Sequence, residues 1–245
     1  MLRIYTSPPP WWRGAESRPS EKPWWKDTCA WRSLQCLKAC VKRPIGGHYA
    51  VTRSLLAGLK QNGVPFSYNS PFLPSGTVLA LAGLETLKFA IEQKKAGRIR
   101  FLAAGPNICV LPSQCDFLVA DTAVDLYLVN SEWTLRAYAE DCPVLRGRLA
   151  VWPAGVDPAF WARRSAPQTR NCLLYVKSEQ APLAAVKDVL RKVGITAEVI
   201  RYGEYDQHSF KALLEASDCM IYLGDSESQG IALAEAWAMD VATFV

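Results

Sequence analysis

Cys219-Met220-Ile221-Tyr222-Leu223-Gly224-Asp225-Ser226-Glu227-Ser228-Gln229-Gly230-Ile231-Ala232-Leu233-Ala234-Glu235 reads as three pieces in series. Cys219 to Leu223 is a short apolar run of strand length, the next residues are a polar turn, and Gly230 to Met239 carries a helical pattern. Ser226 with Gln229 three residues later fits a capping box, which would mark the helix start. The first amides of such a helix lack internal partners and carry the positive end of its dipole. Gly230 would let an anion approach the backbone closely. A turn of this kind at the carboxyl end of a strand is a pyrophosphate cradle. Two carboxylates flank it, Glu227 in the turn and Glu235 eight residues on. A carboxylate accepts paired hydrogen bonds from vicinal hydroxyls, and a nucleotide sugar offers such pairs on both its hexose and its ribose. The plainer reading of the same residues is a capped helix with a solvated Glu235, and spacing alone favours it.

Working outward, the same alternation surrounds this segment. Cys172 to Val176 reads as a strand, Leu183 to Val193 as a helix ending at Gly194, Glu198 to Tyr202 as a strand, Ser209 to Ala216 as a helix, and Val241 to Val245 as a strand. Upstream, Leu2 to Thr6 is a first strand. Gly46-Gly47-His48-Tyr49 opens a helix to about Asn62, with Leu55, Leu56 and Leu59 on its apolar face. Pro65 to Asn69 is a strand, Thr77 to Lys95 a single helix, and Ile99 to Ala104 a strand closed by a Gly105-Pro106-Asn107 turn. Asp125 to Asn130 is a strand, Trp133 to Glu140 a helix, and Leu149 to Trp152 a strand. Strands alternating with helices imply βαβ crossovers and parallel sheets. The polar stretch from Arg163 to Arg170, with Pro167, reads as a linker. The expected architecture is therefore α/β, with two Rossmann-like domains over residues 1–165 and 166–245. An apolar terminus such as Val241 to Val245 suits a central strand with more chain after it, so the second domain is expected to be incomplete.

Half of the 245 residues are hydrophobic and 21% are charged, which supports a buried core and argues against wholesale disorder. The longest apolar stretch, Val78 to Leu84, falls far short of the roughly 20 residues of a membrane-spanning helix. Met1-Leu2-Arg3-Ile4-Tyr5-Thr6 runs into Pro8-Pro9-Pro10 with no apolar signal region, so the expected location is the cytoplasm. The eight cysteines include no C-x-x-C pair, and Cys29, Cys36 and Cys40 lack the spacing and histidines of a zinc site; they read as reduced structural thiols. The net charge of +5 is local. It comes from Arg13, Arg18, Lys22, Lys26, Arg32, Lys38, Lys42 and Arg43 against Glu16, Glu21 and Asp27. Trp11, Trp12, Trp24, Trp25 and Trp31 share that insertion, which spans about residues 8–44. Basic residues interleaved with tryptophan suit the anionic inner face of a membrane. The competing reading is a loop whose tryptophans pack back onto the domain. Nucleic acid is not an expected partner, because the rest of the chain is close to neutral.

The Glu227 to Glu235 segment resembles the E-x7-E motif of retaining GT-B glycosyltransferases, and its Ser-Glu-Ser-Gln-Gly-Ile-Ala-Leu wording resembles bacterial surface-polysaccharide members. Other resemblances follow in chain order. Gly46-Gly47 resembles the family's glycine loop facing the donor phosphates. Val129-Asn130-Ser131-Glu132-Trp133 resembles the end of an N-domain strand, and Trp152-Pro153-Ala154-Gly155-Val156-Asp157-Pro158-Ala159-Phe160 the segment before the interdomain linker. Leu174-Tyr175-Val176-Lys177 resembles the first C-domain strand and the basic residue after it, and Tyr202-Gly203 a glycine turn near the nucleotide. The resemblance spans about residue 44 to the end. It implies that Glu227 contacts donor-sugar hydroxyls near the reacting centre, that Glu235 holds the ribose, and that Lys177 neutralises the departing diphosphate. Gly230, Ile231 and Ala232 would offer amides to the phosphates, with Ser228, Gly47 and Gly203 also lining the donor site. His48, Asn107 and Ser131 are candidate cleft residues. The resemblance further implies no bound metal or cofactor, retention of anomeric configuration, and a saccharide or lipid-linked acceptor. The chain departs from the family in offering Lys177 followed by Ser178-Glu179, without an obvious arginine, and Asn107 where many members have a cleft histidine.

The leading expectation is a glycosyltransferase of surface polysaccharide or glycoconjugate synthesis, cytoplasmic and peripheral to the membrane. The second is a catalytically incomplete relative that serves as a binding subunit. A Rossmann dehydrogenase ranks below both, since no G-x-G-x-x-G turn follows the first strand of either domain.

Overall fold

The computed structural model describes residues 1–12, 47–164, 171–225, 227 and 229–245. The chain there is α/β with two sheets, of six and four strands, in which every pairing is parallel. It divides into two compact units, residues 1–12 with 59–153, and residues 47–58 with 154–245. The division thus falls after Pro153, and the Ala154 to Asp157 segment groups with the second unit. Most of the basic, tryptophan-rich insertion and the linker around Pro167 lie outside the described residues.

In the first unit the strands are β1 (Leu2–Tyr5), β2 (Phe66–Tyr68), β3 (Gly76–Ala82), β4 (Ile99–Asn107), β5 (Leu126–Val129) and β6 (Leu149–Val151). Their order across the sheet is β2-β1-β3-β4-β5-β6. The structure corrects the single helix expected over residues 77–95. Its first half is the strand β3, and only Leu84–Lys95 is helical. Leucine and alanine favour helix intrinsically, but this run is paired to β1 on one side and β4 on the other, and Val78 to Leu81 are buried. A strand buried on both faces loses its alternation and looks like a buried helix in sequence. Gly83, at φ 83°, makes the break between the two elements. A second correction concerns Gly105 to Asn107, which lie within β4 and do not close it with a turn; Gly105, at φ 86°, forms a bulge there, where the register against β3 shifts between Ala80 and Ala82.

The helix of residues 84–95 lays Leu87, Phe89, Ala90 and Ile91 against Val78, Ala80, Leu102 and Ala104. Each of the leucine, isoleucine, valine and phenylalanine side chains among them contributes about 1.5–3 kcal/mol by its burial. The first two tryptophans of the insertion belong to this packing. Trp11 and Trp12 both meet the Phe89 ring edge-on at 5.8 Å, and Trp12 donates Nε1–H to Glu92 Oε2 at 2.7 Å. For these two residues the packed-back reading holds, while Trp24, Trp25 and Trp31 lie outside the described residues.

The second unit contains β7 (Asn171–Val176), β8 (Thr196–Arg201), β9 (Cys219–Leu223) and β10 (Ala242–Phe244), in the order β10-β9-β7-β8. We number the helices of the whole chain α1 (Gly47–Gln61), α2 (Leu84–Lys95), α3 (Glu132–Asp141), α4 (Leu183–Lys192), α5 (Gln207–Glu215) and α6 (Ile231–Trp237). The period-two alternation of β7 sorts the two faces of the sheet. Cys172 and Leu174 pack with Leu190 and Val186 of α4. Leu173 and Tyr175 pack on the other face with Phe210 and Leu214 of α5 and with Ala232, Leu233 and Ala236 of α6. Among the described residues, no helix is long and apolar enough to cross a membrane.

Candidate functional site

In the second sheet β7 lies between β8 and β9. The chain leaves β7 for α4 on one face and leaves β9 for α6 on the opposite face. Loops that part in this way leave a crevice beyond the carboxyl ends of the two strands, which is where open parallel sheets take ligands. Lys177 is the first residue after β7, and Glu227 sits in the loop after β9. The fold therefore brings together at its switch point two residues that are fifty apart in sequence.

There Lys177 Nζ donates to Glu227 Oε2 at 2.8 Å, and the Tyr222 hydroxyl donates to the same oxygen at 2.7 Å. The Gln229 amide donates to Oε1 at 3.2 Å. Partial burial opposes the charge on Glu227, but Lys177, Tyr222 and the amides of Gln229 and Gly230 outweigh it and hold the carboxyl down at about 2. Glu227 is thus a carboxylate at neutral pH. Tyr222 reaches it from β9 because Gly224 leaves room: a Cβ at position 224 would sit 2.6 Å from the Tyr222 ring. That ring stacks on Tyr175 at 5.4 Å, and the Tyr175 hydroxyl is 2.7 Å from that of Tyr205. Lys177 Nζ also lies 5.7 Å from the centroid of Tyr202, and Gly203 turns the chain immediately after it at φ 85°. Lys177, Tyr202, Gly203 and Glu227 consequently share the carboxyl edge of this sheet.

Glu235 occupies a different environment. It is 4% exposed, in the second turn of α6, and lines a cavity with Arg53, Ser54, Asp157, Phe160 and Gln207. Its Oε1 accepts from Gln207 Nε2 at 3.2 Å. Gln207 Oε1 in turn accepts from the Arg53 guanidinium, which also lies 5.0 Å from the centre of the Phe160 ring. Burial dominates over Gln207 and Arg53 and pushes the Glu235 carboxyl up to about 8. The two glutamates thus have opposite settings, one held ionised and the other held largely protonated at pH 7. The solvated Glu235 of the plainer reading is not what the fold contains.

The helix start differs from the expected capping box. Gly230 at φ 65° is the N-cap of α6, with no side-chain cap, and α6 begins at Ile231. Gln229 spends its amide on Glu227, and its side-chain Nε2 is buried without a partner. Gly230 and Ala232 are buried, and Ile231 lines the Glu235 cavity. Ser226 and Ser228 lie outside the described residues. Gly47 is the first residue of α1, and the exposed His48 follows it, its carbonyl accepting from Thr52 Oγ1 at 2.9 Å. In the first unit, Ser131 is the N-cap of α3 and accepts from the Thr134 amide, so its side chain is spent on the helix. Asn107 ends β4, 8% exposed, with its Nδ2 unpartnered. Among the described residues, no cluster of three or more His, Cys, Asp or Glu is disposed to hold a metal ion.

Sequence reasoning missed Tyr222, Arg53 and Gln207. Tyr222 could have been flagged as the polar tip in an otherwise apolar strand that runs into the Glu227 turn. Arg53 and Gln207 carry no local signal, because only the folded chain sets them beside Glu235. No protein-family model matches the chain, and no curated protein matches it in sequence.

Proposed function

We propose that the second unit binds a nucleotide sugar and that the chain is a GT-B-type glycosyltransferase, moving a sugar from that donor to a saccharide or lipid-linked acceptor with retention of configuration. The observation that carries this reading is the meeting of Lys177 and Glu227 at the switch point of a parallel sheet, with Glu235 buried one helix turn and more beyond. Lys177 supplies a cation for the diphosphate, where preorganised charge lowers the cost of the departing oxygen. Glu227, ionised throughout the neutral range, accepts hydrogen bonds from sugar hydroxyls and does not act as a proton donor. Glu235, with Gln207 beside it, receives the paired hydroxyls of the ribose; two donated hydrogen bonds favour its charged form, so the carboxyl sheds its proton as the ribose arrives.

The test is release of nucleoside diphosphate from UDP-, GDP- and ADP-sugars in the presence of saccharide acceptors. Turnover with one donor, reduced by about 100-fold or more in Glu227→Gln, is the expected result. Turnover unaffected by Glu227→Gln and Lys177→Ala would remove the assignment.

A further inference from the structure

We infer that Cys109 and Cys115 form an oxidisable dithiol site, which closes into an internal disulfide by exchange with a low-molecular-weight disulfide and, when reduced, captures a trivalent arsenical. This stands apart from the donor site and lies in the first unit. The two sulfurs are 3.0 Å apart. Both are held from behind. Cys115 ends the short 3-10 turn Pro112–Cys115, is buried, and directs its thiol to the Pro112 carbonyl at 3.3 Å. Cys109 follows β4; its carbonyl accepts from the Tyr138 hydroxyl, which also lies 3.6 Å from its sulfur. Tyr138 is stacked on Tyr127 at 5.2 Å, so the wall behind the pair is aromatic and packed. Cys109 is partly exposed and gives a reagent its entry.

The exchange balances without an external reductant or metal. Cys109 thiolate attacks one sulfur of oxidised glutathione, leaving a mixed disulfide and one glutathione thiolate. Cys115 then attacks the Cys109 sulfur, the mixed bond breaks, and the second glutathione leaves. One disulfide is consumed, one is formed, and the two cysteine protons pass to the two glutathiones. Held neighbours favour the second step over the bimolecular alternative. Burial, followed by the neighbouring Cys115, pushes the Cys109 thiol up to about 12, so closure is slow at pH 7 and accelerates as the pH rises. Cys172 and Cys219 provide a comparison within the same chain. They are register partners on β7 and β9, but Cys172 is 0% exposed in the sheet interior, so a reagent reaches it only through unfolding.

The experiment treats the full chain with oxidised glutathione at pH 8.5, quenches with acid, alkylates under denaturing conditions and maps peptides. Residues 101–136 form one tryptic peptide with Cys109 and Cys115 as its cysteines. The expected peptide is lighter by two hydrogens and unalkylated, from protein whose near-ultraviolet circular dichroism is unchanged. Cys115→Ser should stop at the first step and retain glutathione on Cys109, at a level at least about tenfold above wild type. Phenylarsine oxide should protect both thiols of the reduced wild type from alkylation, and Cys109→Ser, a near-isosteric change at a partly exposed position, should lose that protection while keeping its near-ultraviolet circular dichroism. Full alkylation of both cysteines after oxidation, a stable glutathione adduct in wild type, or closure that requires urea would each overturn the proposal.

Discussion

Replacing Glu235 by glutamine should make the protein more stable at pH 8 and leave it unchanged near pH 4.5. The effect follows from the linkage of folding to protonation. The carboxyl has an ordinary value of 4.5 and a folded value of about 8. Between those limits the unfolded chain has released a proton that the native chain keeps, so native stability falls as pH rises through the window. One pKa unit corresponds to about 1.4 kcal/mol, which places the full cost of this one group at about 4–5 kcal/mol by pH 8. Allowing the buried site to relax around the charge, we expect Glu235→Gln to gain about 2–4 kcal/mol at pH 8. The amide is nearly isosteric, and its oxygen still accepts from Gln207. Glu227 does not confuse the measurement. Its folded value of about 2 lies below 4.5, so its contribution is complete above about 4.5, is lost as pH falls from there through about 2, and is common to both proteins. The assay is urea denaturation of both proteins from pH 4.5 to 8.5, followed by fluorescence and circular dichroism. A difference curve that rises with pH supports the account. Parallel curves, or a variant less stable than wild type at pH 8, refute it.

Three further outcomes are expected. Lys177→Met leaves the Glu227 carboxylate without its cation, so its pKa, read by carbon NMR on labelled glutamate, should rise by about 1 unit or more; an unmoved value would mean that Tyr222 and the amides suffice. Gly224→Ala sets a methyl against the Tyr222 ring, 2.6 Å from its nearest atom, and should cost about 1–3 kcal/mol in urea unfolding; a cost below about 0.5 kcal/mol would show that the tyrosine moves freely. We also propose that the insertion meets an anionic membrane surface: liposomes containing anionic lipid should then float with the wild type and lose it when Trp24→Ala and Trp25→Ala are combined; equal flotation would remove that proposal in favour of a loop packed on the domain.

The α/β alternation was legible because most elements here keep a clean apolar period and a glycine or polar stop. β7, β8 and β9 begin and end within two residues of their sequence readings. The failure at β3 is physical. Val78 to Leu81 are buried in succession, so both faces of β3 are covered, and that erases the alternation that distinguishes a half-buried strand from a helix. The site was legible to the extent that its residues sit in local turns. Glu227, Gly230 and Glu235 share one turn and helix, and Lys177 follows a readable strand. What spacing could not show is the difference between the two glutamates. That depends on Tyr222 rising from the strand below Glu227 and on Arg53 and Gln207 closing over Glu235. Ser131 shows the converse, a residue whose motif suggested a cleft role and whose side chain caps α3.

We propose a nucleotide-sugar site built from Lys177, Glu227 and Glu235. Calorimetric titration with UDP-, GDP-, ADP- and CMP-linked sugars at pH 7, repeated in two buffers of different ionisation enthalpy, tests it most directly. We expect one base to bind, with release of close to one proton as Glu235 ionises against the ribose, and with the signal abolished in Glu235→Ala and Lys177→Ala. Absence of binding to all four donors, or binding that both substitutions leave intact, would contradict it.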